Sequence, residues 1–129
     1  MSNPLISVAA INGFLSVSLG AFGAHGLEGT LQPDQFEAFR TGAQYHMYHS
    51  LAIFGSGLLS NQNPKERLPK ISGYLFFIGI LFFSGSLYIV GLTDLHWIGA
   101  ITPIGGLFLL SGWSLICLCG LKPRAKTEL

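Results

Sequence analysis

The chain has 129 residues, of which 50% are hydrophobic and only 10% are charged, with a net charge of +1. A soluble domain carries about 25% charged residues, so this composition excludes an ordinary water-exposed surface and predicts an integral membrane protein. A near-zero net charge also argues against nucleic-acid binding, which needs a basic patch or stripe. The length fits one domain that covers residues 1–129.

Four apolar segments are long enough to cross a bilayer, which takes about 20 residues. They cover about residues 4–24, 42–60, 71–92 and 97–121, and none contains Lys, Arg, Asp or Glu. Because short loops join them, we expect an all-α membrane protein with four transmembrane helices in an up-down-up-down bundle. No Lys or Arg precedes the first segment, so we expect it to be a retained helix rather than a signal peptide.

The first span carries small residues at four-residue spacing, which let helix backbones approach closely. These residues are Asn12, Ser16 and Gly20, and Asn12 could add a hydrogen bond between helices. His25 follows at the outer end, where Gly26 and Gly29 let the chain leave the helix. We expect His25 to tie this helix end to the second helix through hydrogen bonds.

The second helix is predicted to begin outside the membrane as an amphipathic extension. Pro33 suits a first helical turn, and Asp34 suits the positive end of the helix dipole. One face repeats at helical spacing through Phe36, Phe39, Ala43, His46 and Ser50. Glu37 and Arg40 lie largely on other faces, so the first turns could lie in or near the membrane interface.

All four histidines (His25, His46, His49 and His96) fall at or near the predicted outer edge. His46 and His49 are neighbours on one helix face, and Tyr45 lies one turn before His49. Since a buried imidazole in lipid is costly, we expect His49 to face the bundle interior and to be hydrogen-bonded. His25, Tyr45, His46 and His49 therefore form a candidate outer-side polar cluster.

Three interpretations of these histidines remain open. The imidazoles could be structural, they could form a proton relay, or they could bind a metal ion or haem. The metal candidates are His25, His46 and His49, with Glu28 or Glu37 as a further ligand. No metal motif accompanies them, so the sequence requires no cofactor.

Small residues also mark the third and fourth spans, in `FFSGSLY` and `ITPIGGLF`. With the first span they give a candidate helix-packing motif of Gly20, Gly23, Ser84, Gly85, Ser86, Thr102, Pro103, Gly105 and Gly106. Pro103 lies well inside the predicted fourth span, where we favour an ordinary kink over a broken helix that lines a site. Cys117 and Cys119 are interpreted as small hydrophobic residues rather than as a disulfide or a metal site.

The basic residues predict the orientation in the membrane. Three lie between spans two and three (Lys65, Arg67 and Lys70), and three lie in the tail (Lys122, Arg124 and Lys126). The loops on the other side carry only Arg40. We therefore expect both termini to be cytoplasmic.

The stretches `GAFGAHGL`, `TGAQYHMYHSLAIF`, `FFSGSLY` and `GAITPIGGLFLLSGW` resemble, in this order, the sequence blocks of the domain-of-unknown-function 423 family. This family consists of small multi-pass proteins of the bacterial inner membrane and is related to the animal transmembrane protein 256. The resemblance covers nearly the whole chain and implies no established activity and no catalytic residues. The matching motif positions are Gly23, His25, Gly26, Tyr45, His49, Ser84, Gly85, Ser86, Thr102, Pro103, Gly105 and Gly106.

The leading functional hypothesis is a non-enzymatic membrane protein that binds a lipid, a quinone or a membrane-protein partner, with a homo-oligomer possible. A histidine-based metal or haem protein and a small transporter or channel subunit are the alternatives. An enzyme is disfavoured, because no nucleophile is accompanied by a base and a group that orients it.

Overall fold

The computed structural model describes residues 3–123, and this part of the chain is helical without any strand. Helix α1 spans Pro4–Gly26, α2 spans Pro33–Gln62, α3 spans Leu68–Leu92 and α4 spans Thr102–Leu121. A short 3-10 helix, His96–Ile101, leads directly into α4. The predicted all-α class is confirmed, and each helix covers most or all of one predicted apolar segment.

A proline in the first turn marks the start of all four α-helices: Pro4, Pro33, Pro69 and Pro103. Proline suits this place because the first N–H groups of a helix have no intrahelical acceptor. At α1 the Oδ1 atom of Asn3 also accepts a 3.0 Å hydrogen bond from the backbone N–H of Leu5. These local signals set where the helices begin.

The position of Pro103 corrects the sequence prediction. Pro103 lies in the first turn of α4, after the 3-10 helix, and it is exposed. There its missing N–H removes no helical hydrogen bond, so it does not kink the helix. The fourth apolar segment is thus a 3-10 helix followed by an α-helix, and the expected mid-span kink is absent from it.

Helices α1 and α2 contact each other along most of their lengths. At one end, the Nδ2 atom of Asn3 donates to the carbonyl oxygen of Gly57 at 2.9 Å and to Oδ1 of Asn61 at 2.8 Å. At the other end, Gly23 lies directly against the ring of Phe39. The start of α1 therefore lies beside the end of α2.

Hydrogen bonds between serines and neighbouring helices also join α2 to α3 and α3 to α4. Ser56 of α2 lies beside Ser72 of α3, and the Ser72 hydroxyl donates to the carbonyl oxygen of Gly112 in α4 at 2.9 Å. Helix α1 packs mainly on α2, and α4 packs mainly on α3. Within residues 3–123, α1 and α4 share no comparable interface, so each exposes a broad apolar face.

Burial in this fold is reversed relative to a soluble protein. The buried hydrophobic core is small and is made of Leu5, Ala9, Ile53, Phe76, Ile80 and Leu109. Equally buried are polar residues on all of the first three helices, namely Asn12, Ser16, His46, His49, Ser50, Ser56, Ser72, Ser84 and Ser86. Large apolar side chains cover the outside; Phe14 is 72% exposed and Leu107 is 65% exposed. A soluble monomer rarely exposes such continuous apolar surface, whereas lipid tails favour it.

Three segments are long and apolar enough to cross a membrane: Pro4–Gly26, Leu68–Leu92 and His96–Leu121. Helix α2 is longer than any of these, but histidines, serines and amides lower its average hydropathy. Several of those polar side chains, including His46, His49 and Ser56, are buried against other helices. Its outward side chains include Leu51, Phe54 and Leu58, which are apolar.

Candidate functional site

His46 lies at the meeting point of three helices. Its Nε2 atom is 2.9 Å from Oδ1 of Asn12 in α1, and its Nδ1 atom is 2.8 Å from the hydroxyl of Tyr88 in α3. The amide group of Asn12 donates to the carbonyl oxygen of Val8, so its Oδ1 atom is the acceptor here. The Nε2–H group of His46 therefore donates to Asn12, and in the neutral ring Nδ1 accepts the Tyr88 hydroxyl hydrogen.

His49 is held one turn deeper, with the opposite tautomer. Its Nδ1–H donates to the carbonyl oxygen of Tyr45 at 2.7 Å, and its Nε2 atom accepts from the indole N–H of Trp113 in α4 at 3.0 Å. The ring also packs against Phe76, with centroids 5.7 Å apart. His49 is 5% exposed, so it faces the interior of the helix bundle and is hydrogen-bonded, as predicted from the cost of an imidazole in lipid.

These two histidines join α2 to each of the other helices, because His46 reaches α1 and α3 and His49 reaches α4. All four of their ring nitrogens already have a partner, so a metal ion could be bound only by breaking one of these bonds. Within residues 3–123, no group of three or more His, Cys, Asp and Glu side chains is placed to hold a metal ion. The arrangement favours the structural interpretation of His46 and His49.

The other two members of the candidate cluster have different surroundings. His25 is exposed, and in the described part of the chain its ring makes no hydrogen bond to α2, which differs from the expected tie between helix ends. The reason is that the small residue Gly23, rather than His25, faces α2 there. Tyr45 contributes its backbone carbonyl, while its ring stacks on Phe83 at 4.7 Å. His96 is also exposed, at the start of the 3-10 helix.

Three of the candidate packing residues, Ser86, Thr102 and Gly105, lie in the α3–α4 interface. Gly105 lies against the backbone of Phe83, so closely that a Cβ atom would overlap it. Ser86 and Thr102 hydrogen-bond through their hydroxyls one turn away. Ser84 is buried, and its Oγ atom has no hydrogen-bond partner within residues 3–123.

Gly85 and Gly106 differ from the close-packing expectation. A Cβ atom at Gly85 would meet nothing within 4 Å, and one at Gly106 would make only ordinary contact with the Phe83 ring at 3.9 Å. Gly20 is similar, with Ala43 at 3.9 Å. Close packing therefore needs Gly105, against the Phe83 backbone, and Gly23, against the Phe39 ring, and the other three glycines leave room beside the helices.

The space beside Gly20 opens into a groove along the seam between α1 and α2. Two adjoining cavities, of about 270 Å³ and about 240 Å³, share Met47 in their walls. We call them together the α1–α2 groove. Its walls are Ile6, Ala9, Ala10, Gly13, Ser16, Gly20, Ala24, Phe39, Arg40, Ala43, Gln44, Met47, Ser50, Leu51 and Phe54. The groove is open sideways, towards the surroundings of the helices.

Polarity changes along this groove. Arg40 and Gln44 lie at one end, near the start of α2, and the far end at Ile6 and Phe54 is apolar. From Arg40 to Phe54 the groove follows α2 for about 21 Å, at about 1.5 Å per residue. A charged end and a long apolar channel match a molecule with a polar head and a hydrocarbon chain.

A second cavity, of about 480 Å³, lies at the opposite end of the helices, beside the α2–α3 loop. The ammonium of Lys122 donates to the Glu66 carboxylate at 2.9 Å in its wall. This ion pair closes part of the cavity wall between the end of α4 and the α2–α3 loop. Cys119 also lines it, and Cys117 and Cys119 are both free thiols, as the sequence predicts.

The sequence prediction missed three features of this region: Tyr88 and Trp113 as partners of the histidines, and the α1–α2 groove itself. A signal for the first two exists, since Tyr and Trp carry a polar group that finds a partner when it is buried. The groove had no comparable signal. It depends on small side chains from two helices facing the same gap.

Comparison with known proteins shows a consistent pattern. Residues 19–106 match the family described as "Protein of unknown function (DUF423)". The "UPF0382 membrane protein YwdK" of Bacillus subtilis is 44% identical over 117 residues, which covers 91% of this chain and 95% of that protein. The "UPF0382 inner membrane protein YgdD" of Escherichia coli is 35% identical over 122 residues, or 95% of this chain and 92% of that protein. No solved structure matches the chain.

Proposed function

The chain belongs to the DUF423 family of small multi-pass membrane proteins, and we propose that all four of its helices cross the bacterial inner membrane in up-down-up-down order. Helix α2 is the one with low hydropathy. It packs along its length between α1 and α3, so it must share their depth in the bilayer. Its buried polar groups are hydrogen-bonded, His46, His49 and Ser56 to other helices and Ser50 to its own backbone, which is how polar groups are tolerated in hydrocarbon.

We propose that both termini are cytoplasmic. The Lys122–Glu66 ion pair draws the end of α4 to the α2–α3 loop, so basic residues from two segments lie at one end of the helices. Arg40 lies towards the other end. The positive-inside rule then assigns the Lys65 and Lys122 end to the cytoplasm. Arg124 and Lys126, which the sequence adds to this bias, lie outside the described residues.

We further propose that the protein holds a lipid in the α1–α2 groove and acts without catalysis. The observation that carries this proposal is the groove itself, which is open to the side and apolar along its length, with Arg40 in its wall at one end. A lipid fits this gradient better than a quinone, because a quinone offers no charge to Arg40. No specific observation favours the metal, haem or transporter alternatives, since every ring nitrogen of His46 and His49 is occupied.

A leucine at Gly13 tests the groove directly. A Cβ atom there would meet nothing within 4 Å, so the side chain can fill the apolar end of the groove without disturbing the helices. We expect wild-type protein to retain about one tightly bound lipid through extensive detergent washing and Gly13→Leu to lose it, as counted by mass spectrometry of extracted lipid.

Gly55→Leu is the matched control. Gly55 also has open space beside it, but it lies outside the groove walls, so this variant should retain lipid like the wild type. Equal retention in all three proteins would contradict the proposed function. A co-purified quinone in place of a lipid would show that the groove binds a quinone instead.

A further inference from the structure

At the Arg40 end of the α1–α2 groove, the Glu37 carboxylate lies one helical turn away, just outside the groove walls. Arg40 lines the groove, and the nearest atoms of Arg40 and Glu37, Nη1 and Oε2, are 3.9 Å apart. That separation is too long for a hydrogen bond. Within residues 3–123 neither side chain has another hydrogen-bond partner. The two side chains form a loose, solvent-exposed ion pair, so their hydrogen-bonding atoms remain accessible to a ligand.

The guanidinium is also held in place. Its Cζ atom lies 5.8 Å from the centre of the Phe36 ring, which is a cation–π distance. Arginine presents a planar fork of N–H donors that matches the oxygens of a phosphate. Gln44, one turn further into the groove, adds amide donors and an acceptor. The head of a bound molecule would meet these groups where its chain enters the groove.

From this arrangement we propose that the groove is selective for a phospholipid whose head carries both a phosphate and a primary ammonium. The phosphate binds Arg40, and the ammonium binds the Glu37 carboxylate one turn towards the start of α2. The inference rests on the proposed lipid-binding function and names the class of lipid. A head with a phosphate alone would satisfy Arg40 and place its negative charge beside the Glu37 carboxylate.

Native mass spectrometry of the whole protein in detergent can test this selectivity. Phosphatidylethanolamine and phosphatidylglycerol with identical acyl chains are titrated separately into delipidated protein. We expect wild-type protein to bind the ethanolamine lipid roughly tenfold more tightly. Glu37→Gln should remove this preference by weakening ethanolamine-lipid binding, whereas Arg40→Gln should weaken the binding of both lipids. Arg67→Gln, which changes an exposed arginine at the other end of α2, should leave all affinities as in the wild type.

Equal affinities of the wild type for the two lipids would overturn the inference, as would a preference that survives in Glu37→Gln. Gly13→Leu separates this failure from that of the proposed function. If both lipids bind equally and Gly13→Leu abolishes both, the groove holds lipid and only the headgroup assignment fails. If neither lipid binds the wild type, or Gly13→Leu binds both as the wild type does, the proposed function fails as well.

Discussion

At the scale of single residues, polar side chains rather than apolar ones specify how the helices meet. In hydrocarbon, apolar packing gives little preference for one helix neighbour over another, because lipid tails are equally apolar. His46 and His49 remove this ambiguity, since each ring nitrogen has one partner at 2.7–3.0 Å. The opposite tautomers of the two rings follow from those partners.

The bond between His49 and Trp113 can be measured with a double-mutant cycle. His49→Phe and Trp113→Phe keep aromatic rings while removing the acceptor and the donor. We expect a coupling energy of about 0.5–1.5 kcal/mol, because hydrogen bonds between membrane helices are modest. The measurement is unfolding in mixed micelles as the denaturing detergent fraction rises.

The control cycle pairs His49→Phe with Trp97→Phe. Trp97 is 68% exposed in the 3-10 helix and has no hydrogen bond to His49. These two changes should be additive. A coupling energy near zero in the first cycle, or equal coupling in both, would show that the bond contributes nothing specific.

At the scale of helices, adjacent glycines in α4 have different roles. The first, Gly105, faces the backbone of α3, and the second, Gly106, faces a gap beside the Phe83 ring. One residue along an α-helix turns the side-chain direction by about 100°, so neighbouring positions see different surroundings. Gly105 is therefore needed for close packing of α4 on α3, whereas Gly106 has free space beside it.

Gly105→Ala should destabilise the protein by about 1–3 kcal/mol, the usual effect of overpacking, because its Cβ atom would overlap the backbone of Phe83. Backbone atoms cannot move aside as a flexible side chain can, so α3 and α4 would have to separate. Gly106→Ala should leave the stability unchanged or raise it by up to about 1 kcal/mol, through better helix propensity. Thermal unfolding in detergent micelles measures both, and similar loss from the two variants would contradict the assigned interface.

The positions of the helices and the buried face of α2 were largely predictable from the sequence. The apolar segments predict the helices, and the predicted face of Phe36, Phe39, Ala43, His46 and Ser50 is the buried face of α2, with Phe36 only half-buried near the helix start. The interior position of His49 follows from the cost of an imidazole in lipid. Each of these features depends on one helix and its surroundings, so the sequence of that helix is enough to infer it.

Features that depend on two helices at once were harder to predict. The partners Tyr88 and Trp113, and the contrast between Gly105 and Gly85, require the rotation of one helix relative to another. Pro103 was assigned to mid-span because hydropathy does not distinguish a 3-10 helix from an α-helix. The groove was missed for the same reason as the partners, since it is a gap between two surfaces.

At the scale of the whole molecule, the protein has polar groups inside and apolar groups outside. The low mean hydropathy of α2 follows from this organisation, because it includes polar side chains that are buried against other helices and do not contact lipid. The proposed topology, with four spans and cytoplasmic termini, would place the α1–α2 loop, residues 27–32, outside and the α2–α3 loop, residues 63–67, inside.

Cysteine labelling tests that orientation. In a Cys117→Ala and Cys119→Ala background, Glu28→Cys should react with a membrane-impermeant maleimide in intact spheroplasts, because its loop faces outwards. Lys65→Cys should react only after the membrane is permeabilised. The reverse pattern would contradict the orientation, and labelling of both sites in intact spheroplasts would contradict a membrane-crossing α2.

The most direct test of lipid binding uses Met47, whose side chain lies where the two halves of the groove meet. Met1 and Met47 are the only methionines of the chain, so methyl labelling of methionine gives a simple spectrum. On titration with phosphatidylethanolamine in detergent micelles, we predict a saturable shift of the Met47 methyl signal in wild-type protein and in Gly55→Leu, and none in Gly13→Leu. A shift in Gly13→Leu equal to that of the wild type, or no shift in any protein, would contradict a lipid site in the α1–α2 groove.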